Sequence, residues 1–428
     1  MGFSELDERK PIAAGVPSVM WVLAATVVAG LSGYFVMWGV ARAVGAADYS
    51  VFGVFWSGLF LIIGVLFGVQ QETTRSTAEA IHRQTVSSQR SSLWVFAGCL
   101  ALVVLGVVLF SSIWWAPAAL GLNNADLSVQ IALGAAVNAV VATISGALAG
   151  SRLWKHLGAL IAIDGVLRLV LVFLALGISS SPAVLAWAVI LPFPLSLGIV
   201  LLISPRLVLR SARSASTYRQ LTVNSGHTML AASATALIIN GFPLVLALFA
   251  GPGEKAELGA LILAITITRA PILVPLMALQ SYLVTRFTGI ETSPWSLILR
   301  ALGLVVGFMV VLAAATFLWG SAAFETLIGT EFALRTEALV PLVVSSGLIG
   351  ALCVTGPALL ALGLHRSYAA GWVVASAASV GMLFLPVGLE SKAALALSIG
   401  PMVGLVVHLG RLWAFSLSAG RTVRHSHV

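Results

Sequence analysis

Apolar residues run in blocks of about twenty along the whole chain, separated by short polar stretches. Each block is long enough to cross a hydrocarbon core of roughly 30 Å as a helix. A bilayer offers no water to backbone N–H and C=O groups, so only helices and closed barrels span it, and these runs are too long for barrel strands. The pattern predicts twelve spans, roughly 17–41, 49–71, 92–115, 127–150, 157–178, 182–204, 221–250, 258–284, 297–319, 338–362, 367–388 and 393–415. The first run is longer than a signal-peptide core and ends in no clear small-residue cleavage pattern, so it reads as a retained helix. The seventh and eighth are long and contain proline, which predicts tilt or kinking.

Composition narrows this picture. Hydrophobic residues make up 59% of the 428 and charged residues 9%. The connections are too short for an appended soluble domain, which needs at least about 50 residues. Cys99 and Cys353 both fall inside spans and read as small core hydrophobes. The net charge of +8 has a topological reading rather than one of nucleic-acid binding. One set of loops and the tail carries Arg75, Arg83, Arg90, Arg152, Lys155, Arg206, Arg210, Arg213, Arg219, Arg286, Arg300, Arg366, Arg421 and Arg424. The opposite loops carry Asp48, Asp126, Glu254, Glu257, Glu325, Glu331, Glu337 and Glu390. The excess of basic residues then puts both termini in the cytoplasm, which an even number of spans allows.

The basic stretch 205–220 is the natural joint between an N-terminal six-helix bundle, 1–204, and a C-terminal one, 221–428. Weak internal similarity agrees: Ser145-Gly146 precedes Lys155-His156 much as Thr355-Gly356 precedes His365-Arg366. Two halves of the same topology predict an axis along the membrane normal and a cavity between them. The expected fold is all-α and polytopic.

Ionisable groups inside spans are costly and direct attention to function. Arg269 lies about eleven residues into the eighth span, roughly 16 Å deep at 1.5 Å per residue. It reads either as a cavity-facing anion ligand, whose planar fork suits two phosphate oxygens, or as a packing arginine on backbone carbonyls freed by Pro271 and Pro275. Asp164 and Arg168, four apart in the fifth span, read as an internal ion pair or as an ion-coupling carboxylate beside a substrate arginine. Arg42, at the outer end of the first span, either snorkels or meets anionic substrate. Glu72, Arg75, Glu79 and Arg83 repeat at helical spacing, which supports a helical extension or lines a cytoplasmic entrance. Asn138, Asn240 and Gln280 offer hydrogen bonds either to a substrate or between helices, as do Asn224 and His227. Tyr34, Trp38, Trp56 and Trp94 read as sugar-stacking or interfacial aromatics. There is no G-x-x-x-x-G-K-[ST] loop, no H-E-x-x-H and no paired-cysteine metal site, so neither ATP hydrolysis nor a metal or other cofactor is expected.

The segment 42–55, with Gly45, Asp48, Tyr49, Phe52 and Gly53, resembles the first loop and second helix of the Wzx-like polysaccharide flippases of the MOP (multidrug/oligosaccharidyl-lipid/polysaccharide) exporter superfamily. Ser50 stands where glycine is common in that group; Gln70-Gln71-Glu72 to Arg75 and Thr268-Arg269-Ala270-Pro271 are similar to subgroup patterns. The resemblance implies a MATE-like fold of two six-helix bundles in the plasma or inner membrane. It implies a substrate, a lipid-diphosphate-linked oligosaccharide moved between leaflets by alternating access. Partners would be membrane lipids and polymerases or glycosyltransferases of the same export route, and the chain would not be an enzyme. Three other readings stand beside this one. An ion-coupled multidrug exporter of the same superfamily must accommodate cations among mostly basic intramembrane charges. The major facilitator class usually has an Asp-Arg-x-Gly-Arg-type loop, where this chain reads Thr73-Thr74-Arg75-Ser76-Thr77. A membrane glycosyltransferase or polymerase would need acids on an outer loop, where Glu325, Glu331 and Glu337 lie.

Overall fold

The computed structural model describes residues 16–82, 91–251, 253–288 and 295–425, with 16–19, 277–288 and 417–425 given by backbone alone. Its first helix runs unbroken by any loop from Val16 to His82 and turns back on itself at Gly45, where φ is 78° and ψ 169°. Only glycine enters that region without a Cβ penalty, so one residue does the work of the loop expected at 42–48. The two arms are α1 (16–44) and α2 (46–82). They lie antiparallel, with Gly33 against Trp56 and the Tyr49 hydroxyl 3.7 Å from Met37 Sδ. α2 runs a full eleven residues past the predicted boundary at 71, where Arg75 bridges Glu72 at 2.7 Å and Glu79 at 2.9 Å.

The remaining spans follow in order: α3 (Leu93–Leu120), α4 (Leu127–Gly150), α5 (Trp154–Ile178), α6 (Pro182–Ile203), α7 (Tyr218–Ala247), α8 (Lys255–Thr288), α9 (Trp295–Leu327), α10 (Thr336–Ala361), α11 (His365–Met382) and α12 (Leu389–His425). The order is as the hydrophobic pattern predicts, and of these helices all but α11 are long and apolar enough to cross a membrane. α6 breaks at Leu191, between two stretches that each open on proline. α7 opens with a capping box between Thr217 and Gln220 and widens into a π turn over Leu237–Gly241. The connecting stretch after α6 is structured: it holds a short helix, Pro205–Ser211, and Arg213–Ser214 pair antiparallel with Ser91–Ser92.

Small residues set the packing, as expected where lipid removes the hydrophobic drive between helices. In the first six helices α2 crosses α4 where Gly146 and Gly150 meet residues 70–78, and α3 packs along α4. The second six repeat the arrangement, with α8 on α10 at Gly350 and α9 along α10. The fold is thus two six-helix bundles. They touch mainly through α2, which meets α7 at Gly68 and α8 at Gly53 and Gly259. A Cβ at Gly68 would come within 2.4 Å of the Met229 backbone nitrogen, so the crossing tolerates no side chain there.

Candidate functional site

A cavity of about 260 Å³ lies between the bundles, walled by α1, α2, α5, α7 and α8. Its polar lining comes from Tyr34, Ser57, Arg168, Asn240, Thr266 and Arg269, and its apolar lining includes Met37, Trp56 and Phe60. The Trp56 and Phe60 rings stack at 4.4 Å, one helical turn apart on α2.

The π turn organises the wall that α7 provides. Pro243 has no N–H, so the carbonyl of Ile239 loses its helical donor, and the wide turn releases that of Ile238. Both carbonyls accept from Arg269 Nη1, at 2.9 and 3.0 Å. The packing half of the sequence expectation for Arg269 therefore holds with a different source of acceptors: they come from α7, not from the turns around Pro271 and Pro275. Arg269 is 4% exposed, and its Nε and Nη2 have no hydrogen-bond partner among the described residues. These two atoms form one edge of the guanidinium, the edge that receives two oxygens side by side. Asn240 faces the same cavity but is engaged across the bundles. Its Nδ2 donates to the Phe60 carbonyl at 3.2 Å, and its backbone carbonyl accepts from the Ser57 hydroxyl.

Arg168 reaches the cavity from α5 and is differently committed. Its Nη2 lies 2.5 Å from Asp164 Oδ2, and Phe193 and Phe60 face its guanidinium at 5.0 and 5.2 Å. Asp164 itself points the other way. With Asn138, Gln70 and Ser145 it lines a second cavity of about 170 Å³ inside the N-terminal bundle, and its Oδ1 is buried without a partner among the described residues.

Comparison with known proteins fits this architecture. No family model matches the chain. It is 35% identical over 407 residues to "Uncharacterized protein Rv1510" of Mycobacterium tuberculosis, covering 94% of this chain and 92% of that one. It is 33% identical over 401 residues to "Uncharacterized protein Mb3654" of Mycobacterium bovis, covering 93% and 92%. The chain belongs to the family of these two mycobacterial proteins. Among solved structures, an inward-facing multidrug-resistance MATE transporter of the MOP superfamily superposes with a TM-score of 0.66 at 14% identity, covering 94% of this chain and 98% of that one. An outward-facing MATE structure gives 0.62 at 16%, covering 93% and 96%, and the eukaryotic MATE transporter AtDTX14 gives 0.61 at 15%, covering 94% and 95%. At that identity the likeness concerns the fold, and the fold of this chain is the MATE fold.

Several predicted site residues lie elsewhere in it. Arg42 is exposed at the outer face, stacked 5.8 Å over Trp38, and donates to the Leu327 carbonyl at the end of α9. It is a corrected assignment: that carbonyl holds it away from the central cavity. Asn138 is also displaced, into the second cavity, because its face of α4 turns toward α5 and not toward the other bundle. Glu72 is buried, and besides Arg75 it accepts from Asn224 Nδ2 of α7 at 3.0 Å. With Thr228 donating to the Gly68 carbonyl and Ser76 bonded to Ser214 and Ser216, it joins the bundles at the basic face. The Glu72–Arg75 pair thus belongs to a closed seam instead of an open entrance. The side chain of Gln280 lies outside the described residues. Sequence reasoning missed Ser57, Phe60 and Thr266 as lining groups, and it placed Glu331 on an outer loop without the contact it makes there. The Glu331 carboxylate accepts from the Ala46 N–H at 3.3 Å, and Phe332 packs on Tyr49 at 5.7 Å, closing the outer face over the α1–α2 elbow.

Proposed function

We propose that this protein is a membrane transporter that takes an anionic, phosphate-bearing headgroup, of the lipid-diphosphate oligosaccharide class, into the cavity between its bundles and carries it across by alternating access. One observation supports this above the others: the Nε/Nη2 edge of Arg269, unpartnered among the described residues and buried in a cavity that two stacked aromatic rings also line. A buried donor pair without acceptors costs free energy, about 1–3 kcal/mol for each group, unless a ligand completes it. Phosphate oxygens match that edge, and sugar rings suit the Trp56–Phe60 platform. Seams at the basic and outer faces would open in turn as the bundles rock.

Asp164 takes the coupling role in this scheme. Its free Oδ1 faces the second cavity, where a cation or proton would be held within reach of Asn138 and would compete with Arg168 for the carboxylate. This feature, with the multidrug MATE structures that share the fold, also favours a second reading: an ion-coupled exporter of small molecules.

Reconstituting the full chain in vesicles with a fluorescent lipid-diphosphate oligosaccharide separates the readings. The flippase reading expects leaflet transfer that Arg269→Met abolishes while the protein remains folded. Transfer no faster than in empty vesicles, with cation export driven by a proton or sodium gradient, would establish the exporter instead.

A further inference from the structure

His408 sits in α12 fully buried, on a helix face where Gly400 and Gly404 precede it at intervals of four. Those glycines press α12 onto α11: a Cβ at Gly404 would meet the Gly371 carbonyl at 2.7 Å, and one at Gly371 would strike the imidazole itself. Both ring nitrogens are bonded. Nε2 lies 3.1 Å from the Tyr368 carbonyl and Nδ1 lies 2.9 Å from Thr355 Oγ1. A carbonyl only accepts, so Nε2 carries the proton.

Thr355 makes the site bistable. Its Oγ1 is also 3.0 Å from the Ala351 carbonyl, yet it has a single hydrogen to give. With the ring neutral, that hydrogen points to bare Nδ1. When a proton from water adds to the Nδ1 lone pair, the new N–H donates to Oγ1 and the hydroxyl hydrogen swings to Ala351. Either charge state is completely bonded, and the two differ in which group gives the hydrogen and in the charge set against α11. Among the described residues, Cys353 of α10 and Tyr368 of α11 are the titratable groups that face it, and Glu337 of α10 lies in that helix's first turn, at its far end. The charged groups nearest along those helices, Arg366 and Arg411, are exposed, as is His365. Tyr368 lies within a turn of the α11 end at the basic face, which gives protons a short way in.

The same groups lead to the central cavity. Tyr368 packs on a cluster that joins Trp372 and Ala375 of α11 and Cys353 of α10 to Ile238 of α7 and Leu273 of α8. The Ser376 hydroxyl donates to the Ala234 carbonyl at 2.8 Å, just before the π turn. Ile238 supplies one of the two carbonyls that hold Arg269.

We propose that His408 is a proton-binding switch of the C-terminal bundle, and that its charge state is transmitted through α11 to the α7 π turn and so to the hold on Arg269. The inference concerns the turn and stands whether or not the cavity takes phosphate. Nitrogen-15 spectra of the full chain in nanodiscs, labelled at histidine and arginine, test it, with His408→Gln assigning the ring signals. The expectation is an Nδ1 that gains a proton as the pH falls from about 7 toward 4.5. The Arg269 Nε–H resonance should shift with the same midpoint and stop shifting in His408→Gln. Thr355→Val, which removes the acceptor the charged ring needs more, should lower the midpoint by about one pH unit. A ring that stays neutral from pH 4.5 to 9 would overturn the proposal. So would an Arg269 signal that ignores the titration, or a Thr355→Val midpoint equal to the parent's. If His408→Gln does not fold, the Thr355→Val comparison and the matched midpoints decide alone.

Discussion

Arg168 and Arg269 share a cavity and a residue type, and they differ in what they have left to offer. Arg168 is nearly saturated by a carboxylate, a carbonyl and a set of rings. Arg269 spends one nitrogen on two carbonyls and keeps an edge free. A buried charge that is fully partnered is part of the scaffold, while one held in place but left half-bonded still has donors to give. The difference arises from the helices around each. α5 supplies Asp164 one turn from Arg168, whereas α7 gives Arg269 only acceptors, and only on one side.

The comparison breaks most visibly at Asp164. Replacing it with alanine strands Arg168 as a buried unpaired charge, and thermal unfolding in detergent should show a loss of about 3–5 kcal/mol. The double change Asp164→Leu with Arg168→Met should recover most of that stability, since an apolar pair of similar volume serves a buried site as well. Next comes Arg269→Lys, which keeps the charge but not the fork. Pyrophosphate binding, followed through the fluorescence of Trp56, should weaken by about tenfold with the unfolding midpoint little changed. Ser57→Ala removes the hydroxyl that links the Asn240 carbonyl to the Leu244 N–H, and it should cost about 1 kcal/mol in the same unfolding assay. Smallest of all, Arg42→Ala should change stability by less than about 1 kcal/mol and leave pyrophosphate binding as it was, because its one carbonyl contact is solvent-exposed.

What the sequence made legible follows from the range of each interaction. The twelve spans, the Asp164–Arg168 pair and the Glu72–Arg75–Glu79 ladder are local, set by hydrophobic length or by helical spacing. Placement on a face was harder. Arg42 and Asn138 have the chemistry of cavity residues, but spans apolar all round carry no periodicity to say which way they point. The π turn left one trace, Asn240-Gly241-Phe242-Pro243, whose proline foretold a freed carbonyl without naming its donor. His408 was passed over because its partners come from two other helices. The glycines at 400 and 404 were the only signal on its own.

The elbow at Gly45 has a consequence for how the molecule is made. With a single residue reversing the chain, α1 and α2 present no polar segment long enough to be threaded across a bilayer by itself. The two arms are therefore one continuous hairpin. Ala46, which begins the second arm, is grasped by Glu331, encoded nearly three hundred residues later, so the turn of the earliest hairpin is fastened only once the chain beyond α9 has been made.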